Sequence, residues 1–292
     1  MLSIASQGYS AVVNVRGAEL ISLQFRGRHV VVPGDVNQPN SAYRGSVLAP
    51  WPNRLADGRY RYDGVDYQVD INEPSRQTAL HGLVYEVPWT VVAHSADSCE
   101  LTCVIDDSDS YPTTLELSIR YSLAINGLTI ELTAHNQGSR TAPYGCSIHP
   151  YLVAGTDALD EWTLSLGCDQ VQHVDGERLL PTRVGHVSGT LFDFCAPRPI
   201  GSTEIDNAFR NDGINRMLHL RSTMGTGVEM EWSDDCVWVQ LHTADRPGLE
   251  HHRAGLAVEP MTCPPDALNS GVDLVHLVPG ASHKSVWRIA AY

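Results

Sequence analysis

Residues 115–135 read LELSIRYSLAINGLTIELTAH, with apolar and polar side chains alternating on both sides of Asn126-Gly127. A period of two turns one face of an extended strand to a core and the other to solvent. Asn-Gly supplies the positive φ angles of a type I′ turn, so this stretch predicts a β-hairpin turning at Asn126-Gly127. A second hairpin is predicted over 59–69, RYRYDGVDYQV, turning at Asp63-Gly64. Outward from these, WTVVAH (89–94), CELTCVI (99–105), VEMEW (228–232), VWVQLHT (237–243) and KSVWRIAAY (284–292) read as further strands. Amphipathic helix candidates are few and short, and the strand–helix rhythm of parallel βαβ units is missing. No linker or low-complexity segment interrupts the chain. The expectation is an all-β fold, a large antiparallel β-sandwich in one domain over residues 1–292. Pattern alone leaves barrel and propeller open, although no repeat of blade length is visible.

Apolar residues make up 42% of the chain and charged ones 18%, a globular balance. The net charge of −14 repels phosphate backbones and anionic lipid, which argues against nucleic acid or a membrane surface as partner. No run approaches the roughly 20 apolar residues that span a bilayer. The N-terminus lacks the basic and apolar regions of a signal peptide. The seven cysteines form no C-x-x-C pair, and reduced, buried thiols in a cytoplasmic protein are the expected state.

Common nucleophile and phosphate motifs are missing: there is no G-x-S-x-G, P-loop, H-E-x-x-H or complete G-x-G-x-x-G. Adjacent His251 and His252 point apart on an extended chain and lack a spaced partner, so no metal site is expected. Cys146 and Cys263 read as small buried hydrophobes before they read as nucleophiles.

Five segments set polar side chains in turn or glycine context: Ala49-Pro50-Trp51-Pro52-Asn53-Arg54, Leu80-His81-Gly82, Pro143 to Tyr151 around His149, Glu204 to Phe209 around Asp206, and Ala257-Val258-Glu259-Pro260 with Pro265-Asp266-Ala267-Leu268-Asn269. Singly, each has a plain structural explanation. His81 and His149 suit core histidines, Arg54 suits a surface pair with Asp57, and Asp206 suits a turn cap. Glu259 is harder to explain so, because it ends an apolar strand-like run, and a carboxylate there needs partners or a function.

Together the segments resemble the aldose 1-epimerase (galactose mutarotase-like) family. Asn53-Arg54 with Gly58, Tyr60 and Gly64 is similar to its N-R-x-x-x-G-x-Y-x-x-x-G stretch. Leu80-His81-Gly82 resembles its L-H-G, and Tyr144 to Tyr151 its G-x-x-H-x-Y segment. Leu180-Pro181-Thr182 with Val187 to Phe194 resembles L-P-T…V-x-G-T-x-x-D-F. Glu259 with Pro265-Asp266-Ala267-x-Asn269 resembles E…P-D-A-x-N. The matches run in family order along nearly the whole chain. Leu83, Leu152 and Met261-Thr262-Cys263-Pro264 depart from the common pattern, which bears on substrate preference.

The resemblance implies a galactose mutarotase-like supersandwich and an isomerase without cofactor or metal, a monomer or homodimer that interconverts the anomers of a free aldohexose such as glucose or galactose. It makes Glu259 the general base and His149 the general acid. Arg54, His81, Asp206 and Asn53 become binders of the sugar. Anomerisation needs a base at the C1 hydroxyl and an acid at the ring oxygen, and a carboxylate and an imidazole on opposite sides of the sugar suffice. Unperturbed glutamate and histidine leave a His⁺/Glu⁻ resting state accessible close to neutrality, with Asp206 favouring the charged imidazole and Arg54 the ionised carboxylates. Trp51 and Tyr151 are candidate stacking faces for the sugar. Three alternatives stand beside this reading. A hexose-6-phosphate 1-epimerase needs extra cations, for which Arg76 and Arg140 are candidates. A glycosidase would pair Glu259 with Asp206. A non-catalytic sugar-binding protein would keep the sandwich alone.

Overall fold

The computed structural model describes residues 1–35, 40, 42–213, 216–248 and 251–292. The predicted hairpin supplies the third and fourth strands of a nine-stranded antiparallel sheet. Its arms, Leu115–Ala124 and Gly127–Asn136, pair along their whole length, and the first arm is flanked by Ser98–Ile105 and the second by the C-terminal strand Ser282–Ala291. The alternation in the sequence becomes alternation in burial: Leu117, Ile119 and Leu132 are fully enclosed while their neighbours along the strand are not. Each such side chain contributes about 1.5–3 kcal/mol by leaving water.

The turn falls one residue earlier than predicted. Ala124 pairs with Gly127, so Ile125 and Asn126 form the loop, and of these residues Gly127 alone has a positive φ, 114°. Glycine is required there for another reason as well, since a Cβ at Gly127 would stand 2.2 Å from the Ile289 carbonyl oxygen. The approach of the C-terminal strand, rather than the turn type, selects the residue. The hairpin Arg59–Tyr62/Val65–Gln68 forms as predicted, with positive φ at both Asp63 (47°) and Gly64 (79°). The other predicted strands are present as Thr90–His94, Gly227–Trp232 and Trp238–His242.

A six-stranded antiparallel sheet carries the chemistry. Its order is Tyr151–Leu152, Leu256–Met261, Trp238–His242, Asp206–Arg210, Gln170–Val174 and Pro181–His186. Register decides which side chains share a face: Glu259 lies opposite Gln240, Gln240 opposite Ala208, and Asp206 opposite His242. With a period of two, Glu259, Gln240, His242 and Asp206 project to one side. Val258, Leu241, Val239, Phe209 and Val171 project to the other and join the main core, which runs from Ile4 to Ile289 along the chain. A four-stranded sheet of N-terminal segments and several two-stranded ladders complete the described structure. Its one α-helix among the described residues is the single turn Ala267–Ser270, and no helix is long and apolar enough to cross a membrane.

All seven cysteines are free, and every one except Cys195 is buried. Burial pushes the Cys146 thiol up to about 12 and the Cys263 thiol higher still, which leaves neither as a thiolate nucleophile near neutrality.

Candidate active site

Three parts of the chain converge on the polar face of the six-stranded sheet. The first is the short ladder of Arg54–Ala56 with Thr78–Leu80, in which Arg54 faces Leu80. At its end Asn53 and His81 both take positive φ, 57° and 67°. Their backbones clasp each other: the His81 N–H donates to the Asn53 carbonyl at 3.0 Å. The Asn53 N–H donates to Nδ1 of the His81 ring at 3.2 Å. Asn53 Oδ1 accepts the Arg54 N–H at 2.8 Å. Asn53 therefore holds His81 through its backbone, and its amide oxygen is taken up locally.

Gly82 explains why His81 is followed by glycine. Its φ is +77°, and a Cβ would lie 2.0 Å from the Ala49 carbonyl oxygen. Gly82→Ala is expected to destabilise the protein by about 3 kcal/mol or more, combining backbone strain with overpacking. A denaturant melt checks this; a midpoint near that of the unaltered protein would show that the Ala49–Gly82 contact is not required.

The P-D-A-x-N segment also has a structural job. The Asp266 N–H donates to the Arg54 carbonyl at 2.7 Å. Asp266 Oδ1 accepts the Ala56 N–H at 3.0 Å and Asn269 Nδ2 at 2.8 Å. This fastens the Arg54 strand to the C-terminal helical turn.

Arg54 is 9% exposed and makes no pair with Asp57, which bonds Arg178 instead. Its guanidinium is bidentate on Glu73, at 2.9 and 3.1 Å, and its Nη2 stands 3.9 Å from Asp206. Glu73 also accepts from Thr78 Oγ1 at 2.6 Å and forms an ion pair with Arg76 at 3.2 Å. Asp206 Oδ1 in turn accepts Gln240 Nε2 at 2.7 Å, while Gln240 Oε1 is buried and without a partner. These residues border an open polar cavity of about 540 Å³, lined by Arg54, Glu73, Asp206, His242 and Arg246 among others.

Beneath it lie Glu259 and His149, 2% and 4% exposed. His149 Nε2 is 3.3 Å from Glu259 Oε1. The far atoms of the pair, His149 Nδ1 and Glu259 Oε2, have no hydrogen-bond partner. The His149 backbone is pinned by its N–H to the Ser46 carbonyl and by the Gly45 N–H to its own carbonyl. Its ring stacks on Tyr151, with centroids 5.1 Å apart, and lies nearly parallel to Tyr43 at 6.4 Å. Tyr43 in turn sits 4.5 Å from the His81 ring. Tyr151 thus braces the imidazole, and Trp51 is enclosed in a separate small core with Leu55 and Tyr60. Neither is placed as an open stacking face.

Two expectations need correction. Burial, then the charge of Asp206, hold the Glu259 carboxyl well above the usual range, with Arg54 opposing them. Burial, and next His242, depress His149 to about 3. The pair therefore rests uncharged, a carboxylic acid against a neutral imidazole, because neither charge is solvated. Asp206 acts on Glu259 rather than raising His149. The second correction is placement: acid and base candidates stand side by side, not on opposite sides of a sugar-sized gap.

His81, His149 and Glu259 bring one ligand atom each within 4.8 Å of one another, a grouping with the size of a metal site. The hydrogen bond from the Asn53 N–H argues against that use. With Nδ1 accepting, the neutral ring carries its proton on Nε2 and has no lone pair there for a metal. Burial, followed by the charges of His149 and Arg54, holds His81 neutral, well below the usual imidazole range. The ring is a hydrogen-bond donor.

Sequence reasoning singled out Glu259, His149, His81, Arg54 and Asp206, and the structure brings all five close together. It missed Gln240, visible only once Glu259 is paired across the sheet, and Glu73 and Tyr43, which lie in loops without period. Arg140 is bonded to Asp107 and Tyr67 and is not among the cavity-lining residues.

A buried carboxyl–imidazole pair beside an open polar cavity on a β-sheet face has the geometry for acid–base chemistry. The sequence profile described as aldose 1-epimerase matches residues 1–290, and the chain belongs to that family. It is 38% identical over 290 residues to the uncharacterized protein YihR of Escherichia coli K12, covering 99% of this chain and 92% of that one. It is 31% identical to human galactose mutarotase over 169 residues, 54% of this chain and 47% of the relative. Among solved structures, the GalM/aldose epimerase homologue from C. elegans superposes with a TM-score of 0.87 at 22% identity, covering 99% and 98% of the two chains. Galactose 1-epimerase from Lactobacillus acidophilus gives 0.80 at 18% identity, covering 98% and 92%. The fold is that of the galactose mutarotases, as the sequence predicts.

Proposed function

We propose that this protein, acting as one sandwich domain, is a mutarotase that interconverts the α and β anomers of an aldohexose. The observation that carries the reading is the 3.3 Å contact between Glu259 Oε1 and His149 Nε2, buried and with both outer atoms unpartnered. The two oxygens that exchange protons during anomerisation share one carbon, C1, so a base and an acid must stand next to each other to serve both. That is the arrangement of this pair.

The empty pair shares a single proton, held on Glu259. A bound hemiacetal brings hydroxyl dipoles to a site that has lost its water, and Arg54 supplies positive charge on the carboxylate side. Transfer of the shared proton to His149 then sets up carboxylate and imidazolium. Glu259 takes the C1 hydroxyl proton as His149 delivers one to the ring oxygen, the ring opens to the aldehyde, C1 turns, and the reverse steps close the other anomer. Nε2–H of His81 donates to a sugar oxygen, and Asp206 and Gln240 Oε1 accept from hydroxyls. Each well-placed proton-transfer group contributes about 10²–10⁴-fold.

Polarimetry of freshly dissolved α-glucose and α-galactose tests the proposal, with the protein expected to accelerate the drift in rotation well beyond the spontaneous rate. Sugar binding without acceleration would favour a non-catalytic role, and release of an aryl group from an aryl glycoside would favour the glycosidase reading.

A further inference from the structure

We propose that Arg44 and Arg246 form an anion-binding subsite for a charged substituent on C6 of the aldose, an inference that rests on the mutarotase reading of the same site. Arg246 lines the large cavity beside His242 and Asp206, and it also lines a narrow crevice of about 20 Å³ whose walls include Arg44 and Tyr151. Tyr151 carries the stacked ring of His149, so both arginines border the acid end of the buried pair. The guanidinium charges of Arg246 and Arg44 both bear on His149.

Among the described residues no carboxylate lies within ion-pair distance of Arg44 or Arg246, although acidic residues exceed Lys and Arg by 14 in this chain. The nearby acids are engaged elsewhere. Asp245 pairs with Arg253 at 2.5 Å, Glu73 holds Arg54 and Arg76, and Asp206 takes Gln240. Glu19, which feels the Arg44 charge, accepts Asn40 Nδ2 at 2.6 Å. Glu204 also borders the cavity, but it belongs equally to a second hollow with Leu191 and Phe192. The Arg44 backbone is fixed at both its N–H and its carbonyl by Asn40, yet its Nε is buried and has no hydrogen-bond partner. A buried N–H without an acceptor is costly, and an anionic oxygen is the acceptor that suits a guanidinium best.

The chemistry of the ring fixes which substituent meets these cations. His149 serves the ring oxygen. That oxygen is bonded to C1, on the Glu259 side, and to C5, whose exocyclic carbon is C6. A group on C6 is therefore the nearest substituent beyond the acid, where Arg44 and Arg246 stand. Phosphate, sulfate and carboxylate share the needed anionic oxygens.

Anomer exchange measured by NMR magnetisation transfer decides the matter, comparing glucose with glucose 6-phosphate, glucose 6-sulfate and glucuronate. In the unaltered protein kcat/KM for at least one charged sugar is expected to exceed that for glucose by about tenfold or more, an advantage that shrinks as salt rises. Comparison of the three charged sugars identifies the preferred anion. Arg44→Gln and Arg246→Gln should each cut the charged-to-neutral ratio several-fold, and Arg246→Lys should retain most of it. The subsite is overturned if glucose outpaces all three charged sugars, or if the ratio is unchanged in both glutamine variants with melting temperatures preserved. Exchange of glucose alone would sink the subsite and spare the mutarotase; exchange of no sugar would sink both.

Discussion

Glu259→Gln is expected to lower anomer-exchange turnover by about 10³-fold or more and to raise the melting temperature by about 5 °C. Both effects have one cause. Gln fills the same volume and can donate to His149, so the cross-strand packing against Gln240 survives, but an amide cannot take the C1 hydroxyl proton. The stability gain follows from the carboxyl's burial. Its pKa is raised in the folded state, so folded protein holds a proton that the unfolded chain releases above its ordinary value near 4.5. Such a group favours folding at low pH, and its contribution is lost as pH rises toward the folded-state pKa. The gap in melting temperature between variant and unaltered protein should therefore widen from acid to neutral pH and close below about pH 4. Polarimetry with a thermal melt at two pH values reads both. Turnover near the unaltered level would remove Glu259 from the reaction; a melting gap independent of pH would mean the carboxyl is not held uncharged.

The stretches that could be read from the sequence were those in which a short-range rule acts alone. Residues 115–135 show their strand period because one face of that hairpin is wholly core and the other is not. Its turn was misplaced by one residue because the need for Gly127 comes from Ile289, more than 160 positions away, and no local rule contains that contact. The site divides in the same way. Glu259 stood out because a carboxylate at the end of an apolar run needs a reason to be there. Gln240, a lone amide in an ordinary strand, gains meaning only when register sets it opposite Glu259. The protonation state was out of reach for a related reason. Model-compound values gave His⁺/Glu⁻, and only the burial of both groups reverses that order. Arg44 and Arg246 lie in loops far apart in the sequence, and their shared relation to Tyr151 exists only in three dimensions.

His149→Asn is expected to reduce kcat by about 10²–10⁴-fold while leaving KM within a few-fold. Asparagine keeps a donor near Glu259 but cannot carry a proton to the ring oxygen, so the loss appears in the transition state and not in binding. The pH profile separates this from simple disruption. With both groups present, turnover requires one proton on the pair and falls on either side. Without the imidazole the residual rate depends only on ionised Glu259, so it should rise with pH to a plateau and show no alkaline decline. Stability supplies an independent reading. His149 is depressed to about 3 when folded, so the unfolded chain binds its proton first as pH falls below about 6.5. The neutral imidazole's contribution is complete above that value and is lost progressively toward the folded pKa. The Asn variant lacks this penalty, and its melting temperature relative to the unaltered protein should improve between about pH 8 and pH 5. A change confined to KM would demote His149 to a sugar contact, and a relative melting temperature unmoved by pH would show that the imidazole is not kept neutral by its surroundings.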